Sequence, residues 1–175
     1  MSTPARVGPG LAASLAAALL ALQPLACGLG GLSPTVFAPG QEIPLGELSL
    51  TVTGWEAVPP GHAPISALRA APGEKVIAVF VRWSGLPGRS DMERRVLLER
   101  FLERQARIVD DEGFQTTAFS AMARELYRLQ APVREAPSDW VVVFHVWIDS
   151  RNYKLLLAHP DPAQGGLRLA EVQLR

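Results

Sequence analysis

Two stretches of the chain are largely apolar and rich in β-branched and aromatic residues. One is Glu74–Trp83, and the other, Trp140–Asp149, reads Trp-Val-Val-Val-Phe-His-Val-Trp-Ile-Asp. Branched and ring side chains lose rotamer freedom in a helix and pack well on a pleated surface, so both stretches predict strands of an antiparallel sheet. Because so few of their residues are polar, we expect both strands to lie in the core.

Alternation divides the second of these strands into two unequal faces. Since neighbouring side chains of a strand point to opposite sides, five apolar residues share one face, and His145 interrupts the other. We expect the unbroken face to lie against a second sheet and the interrupted face to be only partly covered. The unbroken face carries Trp140, Val142, Phe144, Val146 and Ile148, and the interrupted face carries Val141, Val143, His145 and Trp147.

Weaker alternation predicts further strands and the turns between them. Glu47–Thr53 alternates apolar and polar residues, which is typical of a half-buried strand, and Gly54 after it predicts a bend or bulge. Asp110–Gly113 predicts a tight turn with a positive φ at the glycine, between strands at Glu103–Val109 and Phe114–Phe119.

The last two predicted strands are Tyr153–Ala158 and Leu167–Leu174. The apolar spacing of the final strand slips by one residue, so its two halves share a face only if a bulge lies near Ala170-Glu171. Two other stretches have helical features: Asp91–Arg104 fits either a short amphipathic helix or a strand, and the apolar spacing in Ala121–Gln130 predicts a helical turn or two.

The order of these elements predicts the fold class. About seven strands follow one another, separated by turn signals, with no alternation of strands and helices. Residues 42–175 are therefore expected to form an all-β, immunoglobulin-like antiparallel β-sandwich.

A separate apolar run precedes the predicted domain. Leu11–Leu22 consists of Leu, Ala and one Ser and follows the basic side chain of Arg6, which is typical of a signal peptide and short for a membrane span. Ala26 and Cys27 resemble the lipobox of bacterial lipoproteins, so residues 1–26 are predicted to be a lipoprotein signal peptide and Cys27 the lipidated residue. A plain secretory signal is the alternative, and an uncleaved helical anchor is a third.

The leader predicts where the protein lies. A lipid on Cys27 would anchor the exported chain to a membrane of the cell envelope, whereas a plain signal would release it as a secreted protein. Residues 27–41 are rich in Gly and Pro and predict a flexible tether. The alternative is an ordered arm, with Val36 and Phe37 packed on the domain.

Charge and cysteine content exclude two classes of protein. Because 17 basic and 17 acidic residues are interleaved along the 175 positions, there is no basic field that would hold a phosphate backbone, and no nucleic-acid partner is expected. The single cysteine excludes an internal disulfide framework.

Residue types that carry chemistry are present but scattered. His62, His145 and His159 lie in a loop, a strand and a loop, without the close spacing of zinc ligands. Asp110-Asp111-Glu112 groups three carboxylates and is a weak candidate for calcium, although a solvated turn is favoured. There is no Gly-x-Ser-x-Gly elbow and no phosphate-binding glycine loop before a helix. No cofactor is expected, and the chain is expected not to be an enzyme.

Two further hypotheses concern function. A secreted or envelope hydrolase or metal-dependent enzyme with a loop-assembled site is the alternative to a non-catalytic protein, and it requires that histidines converge. The residues that could form such a site are His62, His145 and His159 with Asp110, Glu112 and Asp161. The other hypothesis concerns Trp55 and Trp147, which lie near strand ends, where an exposed ring could contact a partner or a ligand.

Several of these features together resemble a known family. They are the lipobox-like leader, the turn in Ile108–Phe114, the apolar strand after the proline-bearing segment in Pro137–Phe144, and the short strand at Tyr153-Lys154-Leu155. In the order of these features the chain is similar to bacterial lipid-anchored immunoglobulin-like domains of unknown function, which are related to secreted immunoglobulin-like antigens. The resemblance implies a sandwich at the cell surface and supplies no catalytic residues. We therefore expect an envelope lipoprotein that acts as a binding or accessory module, with another envelope protein as a candidate partner.

Overall fold

The computed structural model describes residues 33–58, 69–123, 139–161 and 166–174. All of them belong to one compact unit, Leu32–Arg175. They form two five-stranded sheets and one helix, so the predicted all-β sandwich is confirmed. The described residues contain ten strands, more than the seven expected. The signal peptide and Cys27 lie outside the described residues.

Each sheet consists mainly of antiparallel strands. The first sheet has the order β1-β10-β9-β5-β6, and the second has the order β2-β3-β4-β8-β7. The strands are β1 (Thr35–Phe37), β2 (Glu42–Leu45), β3 (Leu48–Val58), β4 (Glu74–Gly85), β5 (Ala106–Val109), β6 (Gln115–Thr117), β7 (Ser120–Ala123), β8 (Asp139–Trp147), β9 (Lys154–Asp161) and β10 (Gly166–Gln173).

The two apolar strands identified from the sequence, β4 and β8, lie side by side in the second sheet. They pair antiparallel from Glu74 opposite Trp147 to Arg82 opposite Asp139. Their inward side chains meet those of the first sheet, and Phe144 is among the largest fully buried side chains. The predicted packing of the unbroken face is confirmed, except that β8 ends at Trp147 and Ile148 lies exposed in the following turn.

The outer face of the second sheet is partly covered, as expected. At its centre a second buried cluster contains Val58, Val76, Ala78, Phe80, Val141 and Val143, with Ala70 and Met122 packed against it. Further along the same face of β8, His145 is half-buried and Trp147 is exposed. Exposure therefore increases along the strand toward its carboxyl end.

Asp91–Gln105 forms a helix, α1, which decides the alternative left open by the sequence. Its start is a capping box: the Ser90 hydroxyl accepts the backbone N–H of Glu93, and the Glu93 carboxylate accepts the backbone N–H of Ser90. Leu98 and Leu102, one turn apart, are fully buried and join the main core. The residues at 103–105 are therefore helical, and the predicted strand begins only at Ala106.

One other prediction was wrong, and the register of β10 answers a question that the sequence left open. Ser120–Ala123 is a strand paired with β8, where a helical turn was expected; the rest of that stretch lies outside the described residues. No bulge interrupts β10, whose register with β9 is continuous from Gly166 to Gln173. Ala170 and Val172 face the main core, so Leu169, which is also buried, lies on the opposite face. The one-residue slip in the apolar spacing therefore reflects burial of side chains on both faces of β10.

Two local predictions were right. The register of β3 with β4 shifts between Val52 and Gly54, as expected of a bulge at the glycine. Gly113 has a φ of 87° in the turn that joins β5 to β6. In the 27–41 segment, Thr35–Phe37 follow the alternative of an ordered arm, because they pair in parallel with β10, and Phe37 packs against the core. Val36, which was expected to pack with it, is exposed.

Candidate functional site

The carboxylates proposed as a weak calcium site form part of a structural junction between two loops. Asp110 is buried, and its Oδ1 accepts the backbone N–H groups of Glu112 at 3.1 Å and Phe114 at 2.9 Å. Its Oδ2 accepts the Ser150 hydroxyl at 2.8 Å. Oδ1 therefore holds the hairpin turn in shape, and Oδ2 ties that turn to the 148–152 loop.

The neighbouring carboxylates do not converge with Asp110. Asp111 Oδ1 accepts the backbone N–H of Arg151 at 3.1 Å, and the Asp111 N–H donates to the Arg151 carbonyl at 3.1 Å. Glu112 is exposed at the tip of the turn. Within the described ranges, no three His, Cys, Asp or Glu side chains form a group that could hold a metal ion.

Tyr153 and Lys75 complete this junction. The Tyr153 hydroxyl donates to the Ser150 carbonyl at 2.5 Å, and Lys75 Nζ donates to the same carbonyl at 2.7 Å and to that of Ile148 at 2.7 Å. Burial, followed by the negative charges of Asp110 and Asp111, raises the pKa of Tyr153 to about 12. The phenol is therefore held protonated as a hydrogen-bond donor.

Trp55, the first of the two candidate contact residues, belongs to the interior. Its ring meets that of Tyr153 edge to face, with ring centroids 5.8 Å apart, and it packs against the main core. Its role is to support the junction from the inner face of the second sheet. It does not lie beside Trp147, whose side chain points to the outer face.

Trp147, the second candidate, lies on an exposed row of rings. It is 63% exposed, and on the same face of β8 His145 lies two positions earlier, or about 7 Å along the strand. The ring of Phe119, which is 53% exposed, stacks on that of His145 with centroids 4.1 Å apart. We call Phe119, His145 and Trp147 the aromatic platform.

A carboxylate lies beside the aromatic platform. Glu74 is the cross-strand partner of Trp147, and its Oε2 lies 3.9 Å from Nδ1 of His145. The same oxygen accepts the backbone N–H of Ala71 at 3.2 Å. The position of this carboxylate is therefore defined by the turn before β4.

Backbone geometry supports the exposed tryptophan. Gly73 has a φ of 88°, and a Cβ built on it would lie 3.9 Å from Cζ3 of Trp147, so the indole passes close to the turn. The backbone N–H of Ile148 donates to the Gly73 carbonyl at 2.9 Å. These contacts hold the end of β8 against the start of β4, so the platform stands on a rigid pair of strands.

The two described histidines lie on different sheets. His145 belongs to the outer face of the second sheet, whereas His159 is buried on β9, with its Nδ1 3.1 Å from the Pro160 carbonyl oxygen. Burial is the main cause of the lowered pKa of His159. Asp161 is paired with Arg168, whose Nε lies 2.6 Å from Oδ2. His62 lies outside the described residues.

Phe119 and Glu74 are the members of this site that the sequence did not identify. Phe119 stands next to a short strand, and nothing in its sequence neighbourhood indicates that it reaches His145. Glu74 begins a strand that was recognised, and strand pairing could have placed it beside Trp147 only if the register had been known.

The helical segment in the described residues lacks the length and hydropathy of a membrane span.

Comparisons with known proteins add little to this description. No protein-family model matches the chain, and no curated protein matches it. An uncharacterised β-sandwich protein from Clostridium difficile 630 is similar in structure, with a TM-score of 0.48, 9% identity, and coverage of 82% of this chain and 96% of that chain. This similarity does not assign the chain to a family, and the family resemblance stays a prediction.

Proposed function

We propose that this protein is an exported, lipid-anchored module of the cell envelope that binds another envelope protein and carries out no chemistry itself. In this proposal the β-sandwich is of the immunoglobulin-like type suggested by the sequence. The observation that carries it is the aromatic platform, three rings of which two are exposed, beside the buried outer cluster of the second sheet.

Exposed aromatic rings on or beside paired strands favour a binding role. Aromatic side chains contribute much of the energy of protein interfaces, and their placement in water is costly unless a partner covers them. Most of the polar groups at the nearby junction, by contrast, are used in holding loops. Asp110, Ser150 and Tyr153 bond to one another or to backbone groups, so their polar atoms are engaged within the fold.

The location follows from the leader. A short apolar run that ends at Ala26-Cys27 favours export and lipidation, and the Gly- and Pro-rich residues after the cysteine favour a domain held close to the membrane. Metabolic labelling with a fatty-acid analogue tests this part. The native chain should take up the label, Cys27→Ser should not, and labelling of both or neither would contradict lipidation at this position.

Site-directed crosslinking tests the binding role. A photoreactive amino acid at position 147 of the full chain, expressed in the native organism, should give a discrete crosslinked product that saturates with expression. The same amino acid at Met92, an exposed apolar position on α1, is the matched control. Equal crosslinking at both positions, or none at 147, would count against the aromatic platform as the binding surface.

A further inference from the structure

We infer that the aromatic platform accepts a lysine or arginine side chain presented by a basic segment of the partner protein. The inference rests on the proposed binding role and adds the chemistry of the partner. It depends on three observations: the exposure of the rings, the charges around them, and the way the other aromatic rings of the chain are used.

Ring faces attract cations. The π-electrons make the face of an aromatic ring negative, and a Lys or Arg cation within about 6 Å of the ring centroid is attracted to it, most strongly by tryptophan. Trp147 is the most exposed of the rings in the platform. Phe119 and His145 are stacked on each other, so one face of each ring is already covered, and His145 is also half-buried. Trp147 is therefore the ring best placed to receive a cation.

The fixed charge beside Trp147 is negative. Glu74 lies directly opposite Trp147 on the neighbouring strand, so a cation over the indole would also be close to a carboxylate. Opposite charges across an interface guide association and disfavour wrongly charged partners.

The lysine and arginine of β4 are directed elsewhere. Lys75 is adjacent to Glu74, but its Nζ donates to the carbonyls of Ile148 and Ser150. Arg82 lies at the far end of β4, with its Nε 3.2 Å from Oδ1 of Asp139. On the described strands, this end of the outer face thus has a carboxylate, Glu74, and aromatic rings without a lysine or arginine.

Two other aromatic rings are already in contact with a cation of this same chain. Lys75 Nζ lies 5.8 Å from the centroid of Tyr153, and the Arg94 guanidinium lies 6.0 Å from that of Trp83. Among the described residues no cation stands over Trp147. A cation supplied by a partner would give Trp147 the same kind of contact that these two rings have internally.

Peptide binding to the purified full-length chain, kept in a non-ionic detergent, tests the inference. Fluorescence anisotropy would compare labelled hexalysine and hexaarginine with hexaglutamine, and quenching of tryptophan fluorescence would follow cellohexaose as a neutral sugar. We expect both basic peptides to bind and to be weakened by salt, with little binding of the other two. Equal binding of hexaglutamine, or binding of the sugar alone, would overturn the inference.

Variants locate the binding. Trp147→Ala and Glu74→Gln should each weaken binding of hexaarginine roughly fivefold to tenfold, and Trp147→Phe should retain more affinity than Trp147→Ala. Phe114→Ala, another exposed ring, and Glu99→Gln, another exposed carboxylate, are matched controls that should bind as the native chain does. Circular dichroism melts check that all variants fold, and unchanged binding by both test variants would refute the site.

The two proposals fail in different ways. If the crosslink at position 147 maps to a partner segment without lysine or arginine, the cation inference is wrong and the binding role stands. If position 147 gives no crosslink while basic peptides still bind through Trp147, the chemistry of the surface is right and the envelope partner is wrong.

Discussion

The Ser150 hydroxyl donates a hydrogen bond to Oδ2 of Asp110 at 2.8 Å and so joins two loops that are 40 residues apart in the chain. The other oxygen of Asp110 accepts two backbone N–H groups of its own turn. A buried carboxylate with three donors is costly to remove, because its partners are left without acceptors. This pair holds one end of the sandwich together.

Removal of the Asp110 carboxylate should therefore destabilise the fold. We expect Asp110→Ala to lower the free energy of unfolding by about 2–4 kcal/mol, since three donors lose their partner. Urea denaturation followed by tryptophan fluorescence measures the change. Glu112→Ala, at the exposed tip of the same turn, is the control and should change stability by less than about 0.5 kcal/mol. A similar loss in both variants would contradict the role of Asp110.

Tyr153 should titrate late. Its pKa in the folded protein is about 12, above the ordinary value of 10.0, because it is buried near two carboxylates. The folded state thus holds the phenolic proton more tightly than the unfolded state, and this stabilisation is complete below pH 10 and lost as the pH rises toward 12. Absorbance of the phenolate measures the titration. Tyr153→Phe should remove the late transition, and a transition near 10 that disappears in this variant would contradict the prediction.

His159 should make stability depend on pH in the acid range. Burial lowers its pKa below the ordinary value of 6.5, so the unfolded state binds a proton before the folded state does. The stabilisation is present above pH 6.5 and is lost as the pH falls through the lowered pKa. Unfolding measured against pH should show this slope, and His159→Gln should reduce it. An unchanged slope in the variant would assign the effect to another group.

Gly85 should tolerate no side chain. It has a φ of 107°. A Cβ built on it would lie 2.1 Å from the backbone carbonyl oxygen of Glu47, the residue before β3. Gly85→Ala should therefore lower stability by roughly 3 kcal/mol or more, through strain and a backbone clash. Gly40→Ala, with a φ of 83° and open space around it, is the control that isolates strain and should cost about 1 kcal/mol. Thermal melts compare the two, and equal losses would contradict the clash.

Local composition was enough to identify the framework of the protein. The branched and aromatic residues of β4 and β8 predicted strands, and the alternation of β8 predicted which of its side chains face the core, because the two-residue period of a strand needs no knowledge of its neighbours. The bulge at Gly54 and the turn at Gly113 followed from the freedom of glycine. These signals are all contained within a few residues.

The platform and the junction depended on the tertiary structure. Phe119 reaches His145, and Ser150 reaches Asp110, only because the strands between them pair in one register, and no local pattern encodes that register. The faces of β10 could not be assigned from the sequence for the same reason, since Leu169 and Val172 are buried on opposite sides and the apolar pattern then loses the simple period. Alternation is a property of the chain itself, whereas contact between distant loops is decided by how the whole sandwich packs.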